Sequence, residues 1–248
     1  MSLKKLVNTA LFTLSGNGVC REHLAYYVAM LEAGQPFSFS RFGDGEWSAI
    51  LGYSGENCDG HRYFPELGRD LGAALINKQD YQYGMQYRAV KNLGWGIFRY
   101  VRRNRIRMQW HDADVFHYCD NAGTLFPLVR QLRTMRVVVI GPSHLRRLTK
   151  KVFTYDHFIE VPLKNCYLEK NRIRDEVKAY YEKKGPALFS FSASMTTNVI
   201  IHELFPLMGP TCWFLDLGSL WDSYVGVDSR GGKSPQYWNV LQKRNIGE

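Results

Sequence analysis

Ser38-Phe39-Ser40-Arg41-Phe42-Gly43-Asp44-Gly45-Glu46-Trp47 decides how the rest of the 248-residue chain is read. Phe37 and Phe39 alternate with Ser38 and Ser40, a period of two that predicts a strand. Trp47, Ala49, Ile50 and Leu51 read as the first buried turns of a helix. Between them, Gly43 and Gly45 can take positive φ or let a ligand approach the backbone. Asp44 and Glu46 therefore stand at a strand exit and a helix mouth, where open α/β sheets bind their ligands. Asp-x-Glu offers hard oxygen donors to Mg²⁺ or Mn²⁺, which take one or two carboxylates and complete their shell with phosphates and water. Arg41 can pair with a phosphate or fix a carboxylate. A purely structural reading competes: Asp44 as a helix cap and Glu46 as a charge at the positive end of the dipole. Arg41 and the two glycines in the same turn weigh toward a binding site.

Working outward, strands and helices alternate most clearly in the second half. Arg136-Val137-Val138-Val139-Ile140 is a continuous β-branched run, the pattern of a central strand covered on both faces. It ends in Gly141-Pro142-Ser143, where a phosphate can rest on backbone N–H groups; the Gly-Lys-Ser/Thr of a Walker loop is missing. A basic helix is expected next. Phe158–Pro162 is a short strand leading to Asn165, and a charged helix over 168–184 follows. Ala187–Phe191 is a strand, with Ser192, Ser194 and Thr196 placed to cap the next helix or reach a diphosphate. Trp213–Leu217 is the last strand, with Asp216 at its end and Ser219 and Asp222 just beyond.

In the first half, helices are expected over 2–14, 21–33, 65–77, 93–103 and 123–133. Strands are expected over 81–85, 107–110 and 115–118, with a loop from Tyr53 to Tyr63. The reading is one α/β domain over 1–248 with a Rossmann-like, mostly parallel sheet flanked by helices. Its core covers about 37–226, and a Gly- and polar-rich tail, 229–248, is expected to be loosely ordered. The strands near 37–41, 136–140, 187–191 and 213–217 should be adjacent, with their C-terminal ends on one side.

A hydrophobic content of 45% suits an ordinary core, and no apolar run approaches the roughly 20 residues of a spanning helix. Leu11-Phe12-Thr13-Leu14 is too short and interrupted for a signal peptide. Five scattered cysteines without a Cys-x-x-Cys pair predict a reduced, cytoplasmic protein without a zinc site. The net charge of +9 favours an anionic partner. Much of it lies in Arg99–Arg107 and His144–Lys151, each of which reads equally as a solvated helix face.

Three stretches together resemble the metal-dependent glycosyltransferases of the GT-D fold. Arg41-Phe42-Gly43-Asp44-Gly45-Glu46 is similar to that family's Arg-x-Gly-Asp-Gly-Glu signature. Val138–Pro142, then Val161-Pro162 with Asn165, resembles its central strand and Pro-x-x-Asn segment. Ser192–Thr196 with Asp216-Leu217-Gly218-Ser219 and Asp222 resembles its closing segments, with Ser192-Ala193-Ser194-Met195-Thr196 replacing Gly-Pro-Thr-Ala-Thr and Ser219 replacing a histidine. The resemblance implies a nucleotide-sugar donor, a UDP-sugar, and a divalent metal, Mn²⁺ or Mg²⁺. Asp44 and Glu46 would then hold the metal, with Arg41 sharing the diphosphate charge. Gly43, Gly141, Pro142, Ser143, Asn165, Ser192, Ser194, Thr196 and Ser219 would line the donor. Asp216 or Asp222 would serve as base, each read equally as a cap or nucleotide contact.

Charge adds an acceptor to this reading. Arg and Lys interleaved with Tyr100 and Trp110 fit a phosphate backbone, so the favoured acceptor is a hydroxymethylated base in DNA. A glycan on a protein or lipid carrier is the alternative that the family resemblance implies. Two rivals stand apart. In the first, Leu215–Ser219 is the acidic-glycine turn of a methyltransferase, with too little chain after it to finish such a sheet. In the second, the basic clusters make a non-catalytic nucleic-acid-binding module, which leaves the Asp-Gly-Glu turn without a purpose.

Overall fold

In the computed structural model, which describes residues 3–148 and 150–248, one eight-stranded sheet runs through the molecule with every paired strand parallel. Residue 2 of the first expected helix and Thr149 of the second basic cluster lie outside the described residues. The first half of the chain forms α1 (Leu3–Leu14), β1 (Gly18–Cys20), α2 (Leu24–Glu32), β2 (Ser38–Phe42), α3 (Asp44–Ile50), α4 (Pro65–Ile76), β3 (Gln82–Met85), α5 (Tyr87–Arg103), β4 (Gln109–Asp112), α6 (Val115–Ala122) and α7 (Phe126–Leu132). The second half forms β5 (Val137–Gly141), β6 (His157–Glu160), α8 (Lys170–Lys184), β7 (Leu188–Phe191), α9 (Thr196–Met208), β8 (Trp213–Asp216) and α10 (Gln242–Asn245).

The strand order β1-β4-β3-β2-β8-β7-β5-β6 joins two half-sheets at β2 and β8. The four strands expected to be neighbours are neighbours, in the order β2-β8-β7-β5. Alternation along β5 explains why its whole length is buried: Val138 and Ile140 pack into one face, Val137 and Val139 into the other. The first face is covered by α3, α4, α5, α8 and α9, through side chains such as Trp47, Leu71, Ile97, Val177 and Ile200. The second is covered by α2, α6 and α7, through Tyr27, Phe116 and Val129 among others. Each aliphatic or aromatic side chain so buried contributes roughly 1.5–3 kcal/mol of transfer free energy.

Several sequence expectations change. The segment 115–118 is the start of α6, not a strand: its buried positions Val115, Phe116 and Asp120 follow a helical spacing, and Gly123 at φ +71 closes the helix. Helix α3 begins at Asp44 rather than Trp47, because the Glu46 carboxylate accepts the Gly43 N–H at 2.8 Å, one half of a capping box. Helix α5 begins at Tyr87 rather than 93, and the basic segment after β5 makes only a short 3₁₀ turn, Ser143–Arg147. The three-residue β1 escaped notice altogether. The tail over 229–248 is docked rather than loose. Tyr237 and Asn245 are buried, and both hydrogen-bond the buried carboxylate of Asp120, as does Tyr224.

Candidate active site

The site is built where β2 meets β8. Their register, Ser38 opposite Phe214 and Phe39 opposite Leu215, carries Arg41 to the side of Asp216. The Arg41 N–H donates to Asp216 Oδ2 at 3.2 Å, and its carbonyl accepts from Asn198 Nδ2 at 2.9 Å. The guanidinium lies 3.8 Å from Asp114 Oδ1, while its buried Nε has no partner among the described residues. Gly218 follows β8 at φ +54, where a Cβ would stand 2.6 Å from Arg41 Nη1. Gly43 and Gly45 do not take positive φ; a Cβ on Gly43 would instead crowd Gln86 Oε1 at 3.0 Å.

Two carboxylates beside Arg41 titrate far from their ordinary range. Burial, with the nearby charge of Asp216, pushes the Glu46 carboxyl up to about 7. Burial pushes Asp216 up to about 6, against the opposing pull of Arg41. Asp44 is exposed and uses Oδ1 to accept the Gly45 N–H at 3.1 Å. Among the described residues, no three His, Cys, Asp or Glu side chains converge as an all-protein metal cage. Carboxylates of Asp44, Glu46 and Asp216 line one cleft, the donor type taken by a hard cation that keeps open positions for phosphate and water.

Arg41, Gly43, Asp44, Glu46, Ser194 and Asp216 line a cavity of about 630 Å³. It adjoins a second of about 480 Å³ lined by Pro142, Ser192, Ser194 and Asp222. Ser219 and Arg230 border both. Ser192 Oγ is buried there without a partner among the described residues, and Ser194 turns the chain at φ +52. Such backbone strain clusters at binding sites. Asp222 is engaged by His144, whose Nε2 lies 2.9 Å from its Oδ1.

Four expected donor residues stand back from the cavities. Gly141 is buried in the sheet against Leu145, and Ser143 is exposed and lines neither cavity. Thr196 is buried in α9. Asn165, at φ +55, spends its side-chain oxygen on the Arg62 N–H at 2.9 Å. It thereby pins the 53–63 loop, which is also anchored by Asn57 Nδ2 to Ser194 Oγ at 3.0 Å.

Sequence reasoning missed three residues here. Arg230 sits in the supposedly loose tail, yet bonds Ser219 Oγ at 3.1 Å and Asp59 at 3.0 Å across the cleft. His144 was absorbed into a basic cluster. His117 was assigned to a strand; on α6 it lines the cleft, and burial with the charge of Arg41 holds its imidazole neutral, well below the usual range. The His144–Lys151 cluster is not one open groove: Arg146 pairs with Glu160 and Lys151 with Glu248.

An all-parallel sheet with its cleft at the carboxyl ends of the central strands defines an α/β, Rossmann-like architecture. Among solved structures, the chain is similar to a domain of unknown function 1792, at 14% identity and a TM-score of 0.64, over 95% of this chain and 93% of that one. A second structure, described as the same highly conserved domain with a distinct glycosyltransferase fold, matches at 14% identity and a TM-score of 0.62, over 96% and 93%. A third, a glycosyltransferase of this domain type from Streptococcus sanguinis, matches at 14% identity and a TM-score of 0.64, over 90% and 92%. The chain therefore has the fold of these glycosyltransferases. No protein-family model matches it, and no curated protein matches its sequence.

Proposed function

We propose that the protein is a metal-dependent glycosyltransferase that moves a sugar from a nucleoside diphosphate donor, a UDP-sugar, to an acceptor hydroxyl. The observation that carries this reading is the convergence of Glu46, Asp216 and the incompletely paired Arg41 at the β2–β8 junction. A divalent cation held by Asp44 and Glu46 would offset negative charge on the leaving diphosphate. Arg41 and Arg230 bind the same phosphates from the two sides of the cleft. Ser192 and Ser194 offer hydroxyl donors to the donor's polar edge. The acceptor hydroxyl attacks the anomeric carbon, the bond from that carbon to the diphosphate oxygen breaks, and the hydroxyl proton passes to a base.

Asp216 suits that role better than Asp222, because its raised pKa keeps it a competent acceptor near neutrality while Asp222 is tied to His144. His117, neutral and lining the cleft, is the second candidate. A thermal-shift panel tests the class: UDP-sugars with Mn²⁺ should stabilise the protein and S-adenosylmethionine should not. Stabilisation by S-adenosylmethionine alone would overturn it.

For the acceptor, the chain's net charge of +9 favours a hydroxymethylated base in DNA, and a glycan on a protein or lipid carrier is the alternative. Radiolabelled UDP-sugar with hydroxymethylated and unmodified DNA separates them. Label confined to the hydroxymethylated duplex supports DNA; label in neither DNA leaves the carrier glycan.

A further inference from the structure

Helix α1 is inside out. Its buried side chains are Asn8 and Phe12, and Asn8 Nδ2 donates to the Lys91 carbonyl at 2.8 Å. Gly94 of α5 admits this crossing, since a Cβ there would lie 2.5 Å from Asn8 Cβ. Three of the four α1 leucines face water instead: Leu3 is 77% exposed and Leu14 78%, with Leu6 and Val7 about half exposed. Leu3, Val7, Ala10 and Leu14 recur at helical spacing, so they form one apolar stripe. An exposed stripe of this kind marks a contact surface.

Helix α5 lies against α1 and supplies charge. Arg88, Lys91, Trp95, Phe98, Arg99 and Arg102 repeat at helical spacing along its outer side, opposite the buried Val90, Ile97 and Val101. Trp95 is 56% exposed and stacks on Phe98 at 5.8 Å, and Arg102 covers Phe98 at 5.5 Å. Neither helix contains an Asp or Glu. Along α5 lies a groove of about 980 Å³, walled by Trp95, Arg99 and Arg103 on one side and by Leu51 and Tyr53 on the other, with Lys4 of α1 at its edge. The groove runs to the candidate active site: Arg88 and Tyr118 border the cleft and a neighbouring hollow, and Asn92 borders that hollow and the groove.

We propose that the α1–α5 face seats the protein on an anionic lipid surface. Leu3, Leu6, Val7, Leu14 and Trp95 enter the boundary between headgroups and acyl chains, while Lys4, Lys5, Arg99, Arg102 and Arg103 meet the lipid phosphates. Charge selects this occupant. A second copy would bring two acid-free basic faces together. A nucleic acid would engage the cations and Trp95 but leave the α1 leucines in water. Among the described residues no helix is long and apolar enough to cross a membrane, and the contact proposed is a seat on the surface. It places the cleft beside the headgroups, where a lipid-linked acceptor hydroxyl is within reach; that last consequence rests on the glycosyltransferase reading with its carrier-glycan acceptor, the seat itself does not.

The test is flotation of the full chain with vesicles of phosphatidylcholine alone or mixed with phosphatidylglycerol, without donor or metal, so that its outcome is independent of sugar transfer. Binding to the mixed vesicles only, lost in Leu6→Asp/Val7→Asp and weakened about thirtyfold in Arg99→Ala/Arg102→Ala, is expected. These side chains are exposed, and circular dichroism checks that the variants remain folded. Absence of vesicle binding overturns the proposal, as does binding that Leu6→Asp/Val7→Asp leaves unchanged. Duplex DNA binding without vesicle binding assigns the face to nucleic acid. A dimer that the leucine variant dissociates, with no vesicle binding, assigns it to a second copy.

Discussion

Glu46 carries two duties on one side chain, and they can be separated. One is structural: its carboxylate accepts the Gly43 N–H and starts α3. The other is electrostatic: it is held protonated up to about pH 7. Its folded pKa lies above the ordinary glutamate value, so between that value and about 7 the folded state binds more protons than the unfolded one. Stability from this group is therefore full below the unfolded pKa and falls as pH rises through the folded one. Glu46→Gln keeps an oxygen for the Gly43 N–H and removes the titration. Melting temperatures from pH 4.5 to 7.5 should fall less steeply in the variant, and an unchanged slope would show that Glu46 is not the titrating group. Transfer should be lost in the same variant if Glu46 holds the metal. At Gly218, alanine puts a Cβ into Arg41 Nη1 and an L-residue at φ +54. A cost of about 1–2 kcal/mol in urea unfolding, with weaker donor binding, is expected; full donor affinity would show that Arg41 has room to move.

At the scale of elements, the 53–63 loop is closed on itself by an antiparallel bridge, Glu56 with Arg62, and tied to the rest of the molecule by side chains. Asn165→Ala removes the acceptor of the Arg62 N–H. It should raise the KM for donor several-fold with little change in kcat, and speed proteolysis within the loop. Equal proteolysis rates would mean that Asn57 and the Asp59–Arg230 pair suffice. The docked tail depends on Asp120, buried and shared by Tyr224, Tyr237, Asn245 and Lys233. Asp120→Ala should cost roughly 3–5 kcal/mol, measured by urea denaturation. This network was illegible in the sequence because its members lie on α6, the turn after β8 and the tail, with no local pattern linking them. Strand β5 was legible because a run buried on both faces must be continuously apolar. The start of α3 was misplaced because its cap is a side chain three residues inside the helix, not a residue in front of it.

Across the whole molecule, alternation of elements disclosed a parallel sheet and the neighbours of its central strands. The cleft residues at those strand ends, Arg41, Asp44, Glu46 and Asp216, were legible because strand exits are few and carboxylates stand out there. Residues that reach the cleft from distant segments, His117 and Arg230, carried no such signal. The positive charge was legible in amount and not in use. In three dimensions one basic cluster divides between ion pairs and His144, while the other splits into Arg99, Arg102 and Arg103 on α5 and Arg105 and Arg107 beyond its end.

The pairing of β2 with β8 also sets a timetable for folding. As the chain leaves the ribosome, β1 to β4 can assemble with β2 as an open edge, because the strand that covers it is the last to be made. Closing the gap between segments so far apart in sequence is slow, and an uncovered edge strand invites pairing with other chains meanwhile. The bond from the Arg41 N–H to Asp216 forms only at that closure. In pulse-labelled hydrogen exchange during refolding, the Arg41 amide should gain protection after those of β5 and β6, and the yield of refolded protein should fall as its concentration rises.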